Sequence, residues 1–210
     1  MSIPAPGWFR RRRKSGSVVY PGRFRRHPVI AAVVVLLLVV AVLDRGFGRL
    51  GRSDDYSRYD NRRFRVVHVV DGDTLDIDRS DGKFPTTRVR LWGVDTPEVD
   101  GSPRGRMYYG PEASAFVRKT LTDATVRIVL SPTRTRDKYR RLLGYVYIEP
   151  DGACLNEVLL ETGHAYADTR FDHPHKKKYE AAERRASRQG VGLWADVKPE
   201  QYPAWRQGKR

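Results

Sequence analysis

The chain has a single cysteine, Cys154. No intrachain disulfide can form, and a cysteine-based metal cluster is excluded. Cys154 falls in an apolar helical pattern and reads as a core residue. No internal repeat is present. Acidic residues are in short supply: 25 Asp and Glu stand against 40 Lys and Arg, for a formal net charge of +15 and a pI of about 10.2. Part of that excess is local. Residues 1–50 hold ten Lys or Arg against Asp44, a net +9, which leaves +6 of the +15 to the remainder. A moderately basic domain is compatible with a polyanionic partner without identifying one.

Long apolar runs are also scarce. The exception is Val29–Leu43, which has no charge, glycine or proline. At 1.5 Å per residue a helix of that length covers only about 22 Å of a hydrocarbon core about 30 Å thick. Flanking Arg26, His27, Asp44 and Arg45 could snorkel. The run follows residues 1–28, a Pro-, Gly- and Arg-rich segment without periodicity that reads as disordered and cytoplasmic. Two membrane readings stay open. One is an uncleaved single-pass signal anchor with the C-terminal bulk outside the cytoplasm; the other is a cleaved signal peptide and a secreted domain. No small-x-small cleavage site follows the run, which favours the anchor. Residues 44–61 then read as a linker.

From Arg62 onward the pattern turns β. Arg63–Val70 is rich in valine, Thr74–Asp78 alternates, and Ser80-Asp81-Gly82-Lys83 signals a turn into a third strand over Thr87–Val94. Gly110-Pro111-Glu112 opens a helix. Thr125–Leu130 and Leu142–Ile148 are strands four and five. A second helix is expected at about 154–163, and a third from near Pro174 to Gly190. Five strands with a helix between the third and fourth match an OB-type barrel, so the expected fold is mainly β with three α-helices over 62–195. Residues 196–210 read as a tail of unassigned role.

Two sets of residues carry chemistry. Asp71, Asp73, Asp95 and Glu98 lie at the adjoining ends of strands two and three, where oxygen-only ligands suit Ca²⁺ or Mg²⁺ better than zinc. Arg90 and Arg141 supply planar forks for phosphate. Arg141 ends the cationic stretch Thr135–Arg141. Each signal has a bland counterpart, since Asp-Gly is a common turn and a charged stretch before a strand is often a solvated loop. His173-Pro174-His175 looks like a metal motif but has no carboxylate partner in sequence.

Taken together, VVDGDT (Val69–Thr74), RLWGVDTPE (Arg90–Glu98), YGPEASAF (Tyr109–Phe116), RDKYRR (Arg136–Arg141) and GLW (Gly192–Trp194) resemble the staphylococcal nuclease, or thermonuclease, family in order and spacing. The resemblance runs from about Arg62 to Trp194. It implies an OB-fold barrel with three helices and a Ca²⁺-dependent phosphodiesterase acting on DNA or RNA and leaving 3′-phosphate ends. It further implies that Asp73 and Asp95 ligate Ca²⁺ through their side chains and Thr96 through its backbone carbonyl. Glu98 would be the general base or the group that positions the attacking water, and Arg90 and Arg141 the phosphate-binding cations. Lys138, Tyr139 and Phe171 are the expected substrate contacts. There are two departures. Arg140 stands where the family motif has glycine, and Ala167–Phe171 does not clearly keep the family's tyrosine pair, leaving base stacking to Phe171 or Tyr139. The competing expectation is a membrane-tethered OB-fold module that binds nucleic acid without cutting it. No obligate protein partner is evident.

Overall fold

The computed structural model describes residues 54–102 and 105–207, together with Val33, Val35, Leu36 and Val39. Those four are helical and exposed. The rest of the predicted apolar segment 29–43, and all of 1–28, lie outside the described residues. Among the described residues, no helix is long and apolar enough to cross a membrane.

The elements run β1 (Arg62–Val69), β2 (Thr74–Ile77), β3 (Thr87–Leu91), β4 (Val94–Asp95), α1 (Gly110–Thr120), β5 (Thr125–Leu130), β6 (Leu142–Ile148), β7 (Ala153–Cys154), α2 (Leu155–Glu161), β8 (Tyr166–Ala167) and α3 (Lys176–Gln189). Five strands close a barrel. β1 pairs antiparallel with both β2 and β5, β2 with β3, and β5 with β6. A parallel β3–β6 pairing, Val89↔Leu142 to Leu91↔Gly144, shuts the ring. Closure leaves those edges paired. In β5 alternate residues Val126, Ile128 and Leu130 are buried, the period-two signature of a strand with one face inward. β6 is buried continuously from Leu142 to Val146, because α2 covers its outer side. Inside, Leu75, Ile77, Val89, Leu91, Leu142 and Leu143 are fully or almost fully buried. Truncating any one to alanine would cost about 2–5 kcal/mol.

Three expectations need correction. The third strand does not run through Val94. It ends at Leu91, and Trp92-Gly93 make a turn. Gly93 has φ +80°, and a Cβ there would lie 2.5 Å from the His173 ring. The chain therefore swings away, and Val94–Asp95 pairs with Tyr166–Ala167 in a separate two-stranded sheet. Secondly, the expected linker 44–61 is part of the domain from residue 54. Residues 54–59 are helical, and Tyr59 is fully buried with its hydroxyl 3.1 Å from Thr87 Oγ1. Thirdly, the tail is built onto the fold up to residue 207. It contains a 3-10 turn, Pro199–Gln201, and Arg206 Nη1 donates to the buried Glu183 at 2.6 Å.

Candidate active site

The Asp71-Gly72-Asp73 turn is held by its own side chain: Asp73 N–H donates to Asp71 Oδ1 at 3.0 Å. The β2–β3 register sets Thr74 opposite Arg90, and Leu91 N–H donates to the Asp73 carbonyl at 2.8 Å. A side chain on Gly72 would strike Thr96 Oγ1 at 2.7 Å, so glycine lets the two turns touch. Their contact fixes Asp73. Its Oδ2 accepts from Thr96 N–H (2.9 Å) and Thr96 Oγ1 (3.1 Å), and its Oδ1 accepts from Thr74 Oγ1 (3.0 Å).

Asp73 and Asp95, both buried, meet on one guanidinium. Arg90 Nη1 pairs with Asp73, and Arg90 Nη2 lies 2.7 Å from Asp95 Oδ1. Burial pushes the Arg90 guanidinium below its ordinary value, while Asp95, Asp71 and Asp168 pull it back up. Arginine nonetheless stays charged in proteins. Asp95 takes two further partners that sequence reasoning missed. Arg170 Nη2 reaches Oδ1 at 3.1 Å while also pairing with Asp168, and Trp205 Nε1–H donates to Oδ2 at 2.8 Å.

Glu98 follows Pro97 on the same rim. Its backbone carbonyl receives Met107 N–H at 2.9 Å, and a Cβ on Gly110 would sit 2.1 Å from that oxygen, so the start of α1 packs directly behind it. Glu98 Oε2 accepts from Ser102 Oγ at 2.8 Å. The expected convergence of all four acids is thus only partly met. Asp73 and Asp95 come together, whereas Asp71 turns to its own loop and Glu98 to Ser102. Among the described residues, no group of three or more His, Cys, Asp or Glu is placed to hold a metal ion.

The loop 133–141, which leads into β6 beside β3, supplies further residues of the cleft. Asp137 organises its turn, accepting from Tyr139 N–H (2.9 Å) and Arg141 N–H (3.0 Å) through Oδ1 and from Arg141 Nε (2.7 Å) through Oδ2. Arg140 has φ +66°. The backbone there is left-handed, as glycine would favour, and the chain adopts it with arginine. Arg136 is a clamp rather than a substrate contact. It reaches Asp55 at 2.7 Å and Asp81 at 2.5 Å. Burial alone would lower its pKa, but the hydrogen bonds to those two carboxylates outweigh burial and raise it. Arg141 lies over the Tyr139 ring, 5.4 Å from its centroid, as does Lys138 at 4.9 Å. Phe171 is 41% exposed and stacks on Trp92 at 5.2 Å, with Arg134 over both rings. His173 is packed among Trp92, Tyr145 and Tyr179, and His175 against Tyr145 and Tyr179.

All nine predicted site residues, Asp73, Arg90, Asp95, Thr96, Glu98, Lys138, Tyr139, Arg141 and Phe171, line one cleft of about 840 Å³. Its described lining carries seven carboxylates (Asp71, Asp73, Asp95, Glu98, Asp100, Asp137, Asp168) against five cations (Arg90, Arg134, Lys138, Arg141, Arg170), a surplus of two negative charges. In a protein of net charge +15, the described lining of this cleft is thus inverted in sign. The donor set fits a hard ion. Asp73 Oδ1 and Asp95 Oδ2 each accept one hydrogen bond in the structure, and a carboxylate oxygen has capacity for more.

A family model described as Staphylococcal nuclease homologue matches residues 88–196, just over half of the 210. A thermonuclease from Staphylococcus hyicus is 31% identical over 169 residues, covering 80% of this chain and 94% of that protein. The chain belongs to the staphylococcal nuclease family. Other members agree. A thermonuclease from Staphylococcus intermedius is 34% identical over 170 residues (79% of this chain, 94% of that one). A micrococcal nuclease from Shigella flexneri is 30% identical over 158 residues (70% and 82%). As a member of this family the protein is a nuclease, a hydrolase acting on phosphodiester bonds. The Asp73–Arg90–Asp95 cluster is a buried, ion-paired group in this nuclease's cleft.

Proposed function

We propose that the protein is a Ca²⁺-dependent nuclease that hydrolyses DNA or RNA and leaves 3′-phosphate ends. The observation that carries the metal requirement is the two-charge negative surplus of the cleft's described lining. A phosphodiester is an anion and gains further negative charge in the transition state, so it enters such a cleft favourably only with a divalent cation. Asp73 and Asp95 would hold Ca²⁺ through their carboxylates and Thr96 through its carbonyl. When bound, Ca²⁺ would neutralise the surplus and polarise the phosphoryl group.

The chain's own groups divide the remaining work. Glu98 accepts a proton from the water that attacks phosphorus. The P–O5′ bond breaks in line with that attack, and the 5′-oxygen takes a proton from solvent water and leaves as a hydroxyl on the second fragment. Arg90 keeps N–H donors beyond its two ion pairs, and Arg141 lines the same cleft. Both donate to phosphate oxygens as charge develops, and one such preorganised donor is worth about 3 kcal/mol. Tyr139, Phe171 and Lys138 hold the flanking base and backbone.

The full-length protein is to be tested on single- and double-stranded DNA and on RNA, with Ca²⁺ or with EDTA. Cleavage with Ca²⁺, its loss in EDTA and its loss in Glu98→Gln support the reading. Binding without cleavage under every metal would replace it with a non-catalytic binding module. The same proposal uses the uncharged run Val29–Leu43 behind its cationic flank as a signal anchor, with the nuclease outside the cytoplasm. Protease added to intact cells should then degrade the domain; degradation only after lysis would reject export.

A further inference from the structure

Asp95 is held by a residue 110 positions further along the chain. The segment around Trp205 is fastened independently of the cleft. Arg206 donates to the buried Glu183 at 2.6 Å and lies 5.4 Å from the ring centroids of Tyr166, Trp194 and Tyr202. Gln207 Nε2 donates to the carbonyls of Glu200 (3.0 Å) and Tyr202 (2.7 Å). This footing presents the Trp205 indole to the site. Its N–H reaches Asp95 Oδ2 at 2.8 Å, and its ring lies 4.8 Å from the Arg170 guanidinium, which itself pairs with Asp95 Oδ1 at 3.1 Å. Both oxygens of the carboxylate are therefore oriented from one side, by an indole and by the guanidinium stacked on it. Indole is a donor only, so it fixes the plane of the carboxylate without competing for a cation.

The geometry points to Trp205 as a positioning residue that presets Asp95 for a divalent cation, so that residues 199–207 complete the site from outside the barrel. This inference rests on the reading of Asp95 as a cation ligand. Hydrogen bonds to a ligating carboxylate from its surroundings are typically worth about 10- to 100-fold in metal affinity.

The test uses the full-length protein, with Ca²⁺ titrated by calorimetry and Tb³⁺ titrated by luminescence excited through tryptophan. Trp205→Phe keeps an aromatic ring for Arg170 and removes the donor. It should weaken Ca²⁺ binding at least about tenfold and cut sensitised Tb³⁺ emission at equal occupancy. It should raise the Ca²⁺ needed for half-maximal cleavage, with kcat recovered at saturating Ca²⁺ and KM for nucleic acid unchanged. A residue that merely packs would lower the unfolding midpoint and leave Ca²⁺ affinity alone. Asp95→Asn separates the two failures. If Asp95→Asn binds Ca²⁺ like wild type, the ligand assignment itself falls. If Asp95→Asn loses Ca²⁺ while Trp205→Phe binds it unchanged, the role given to Trp205 is wrong. Wild-type protein that binds Tb³⁺ with no tryptophan-sensitised emission overturns the role without recourse to any variant.

Discussion

Arg90 and Arg141 line the same cleft and are set there by different means. Arg90 rises from a barrel strand, has 13% of its side chain exposed, and pairs with two buried aspartates. Arg141 ends an exposed turn, has 27% of its side chain exposed, and is held by Asp137 four residues earlier. On the barrel wall, desolvation makes each charge depend on the others, and the geometry is fixed by the cost of leaving any one unpaired. On the loop wall, local turn hydrogen bonds set the geometry and water supports the charges. A cleft built this way has one rigid face that orders the reacting group and one adaptable face that receives the strand.

The largest effect expected from this contrast is at Arg90. Arg90→Ala strands Asp73 without a counter-charge and leaves Asp95 to Arg170 alone, and should cost about 3–5 kcal/mol of stability. Arg141→Ala should cost no more than about 1 kcal/mol, although both lower kcat by about 100-fold or more. Urea midpoints measured beside kcat check this, and equal stability losses would erase the distinction between the walls. Next comes Tyr139, which is 68% exposed. Tyr139→Ala should raise KM by about tenfold with kcat nearly unchanged, as expected for a lost base-stacking platform; a fall in kcat alone would move Tyr139 to the rigid side. Smaller still, Arg140→Gly relieves a left-handed residue at φ +66°. Net of the extra freedom gained by the unfolded chain, it should stabilise by about 0.5 kcal/mol.

The least effect concerns pH and lies behind the rigid wall. Burial lowers the pKa of His164 and of His173 from 6.5. The unfolded chain then binds more protons than the folded one, so their contribution is full above 6.5 and is lost as pH falls from there toward the folded values. Unfolding midpoints for wild type and His164→Asn should converge as pH falls below 6.5. Parallel curves would deny the burial effect.

The strands of the barrel were readable because β-branched runs and turn residues agree with the fold at every step. The acid and arginine motifs were readable because register fixes which residues face one another. Thr74 opposite Arg90 follows from the hairpin. What the sequence hid were contacts that depend on distant segments. Gly93 turns the chain because His173 occupies the space beside it, and this turn, rather than the end of a strand, aims Asp95. Tyr59 sits in a stretch without periodicity and still reaches the core. Arg170 and Trp205 meet Asp95 only after the C-terminal residues have folded back. An Asp-x-Arg spacing at Asp168 and Arg170 was the one local hint of an ion pair.

In the proposed mechanism the cleft, net negative over its described lining, admits a phosphodiester only in company with a divalent cation. Its most direct test is binding of a fluorescent single-stranded oligonucleotide to full-length Glu98→Gln, read by anisotropy in Ca²⁺ and then in EDTA. The oligonucleotide should bind in Ca²⁺, be released on chelation and bind again when Ca²⁺ is restored. Equal affinity in Ca²⁺ and in EDTA would contradict the mechanism.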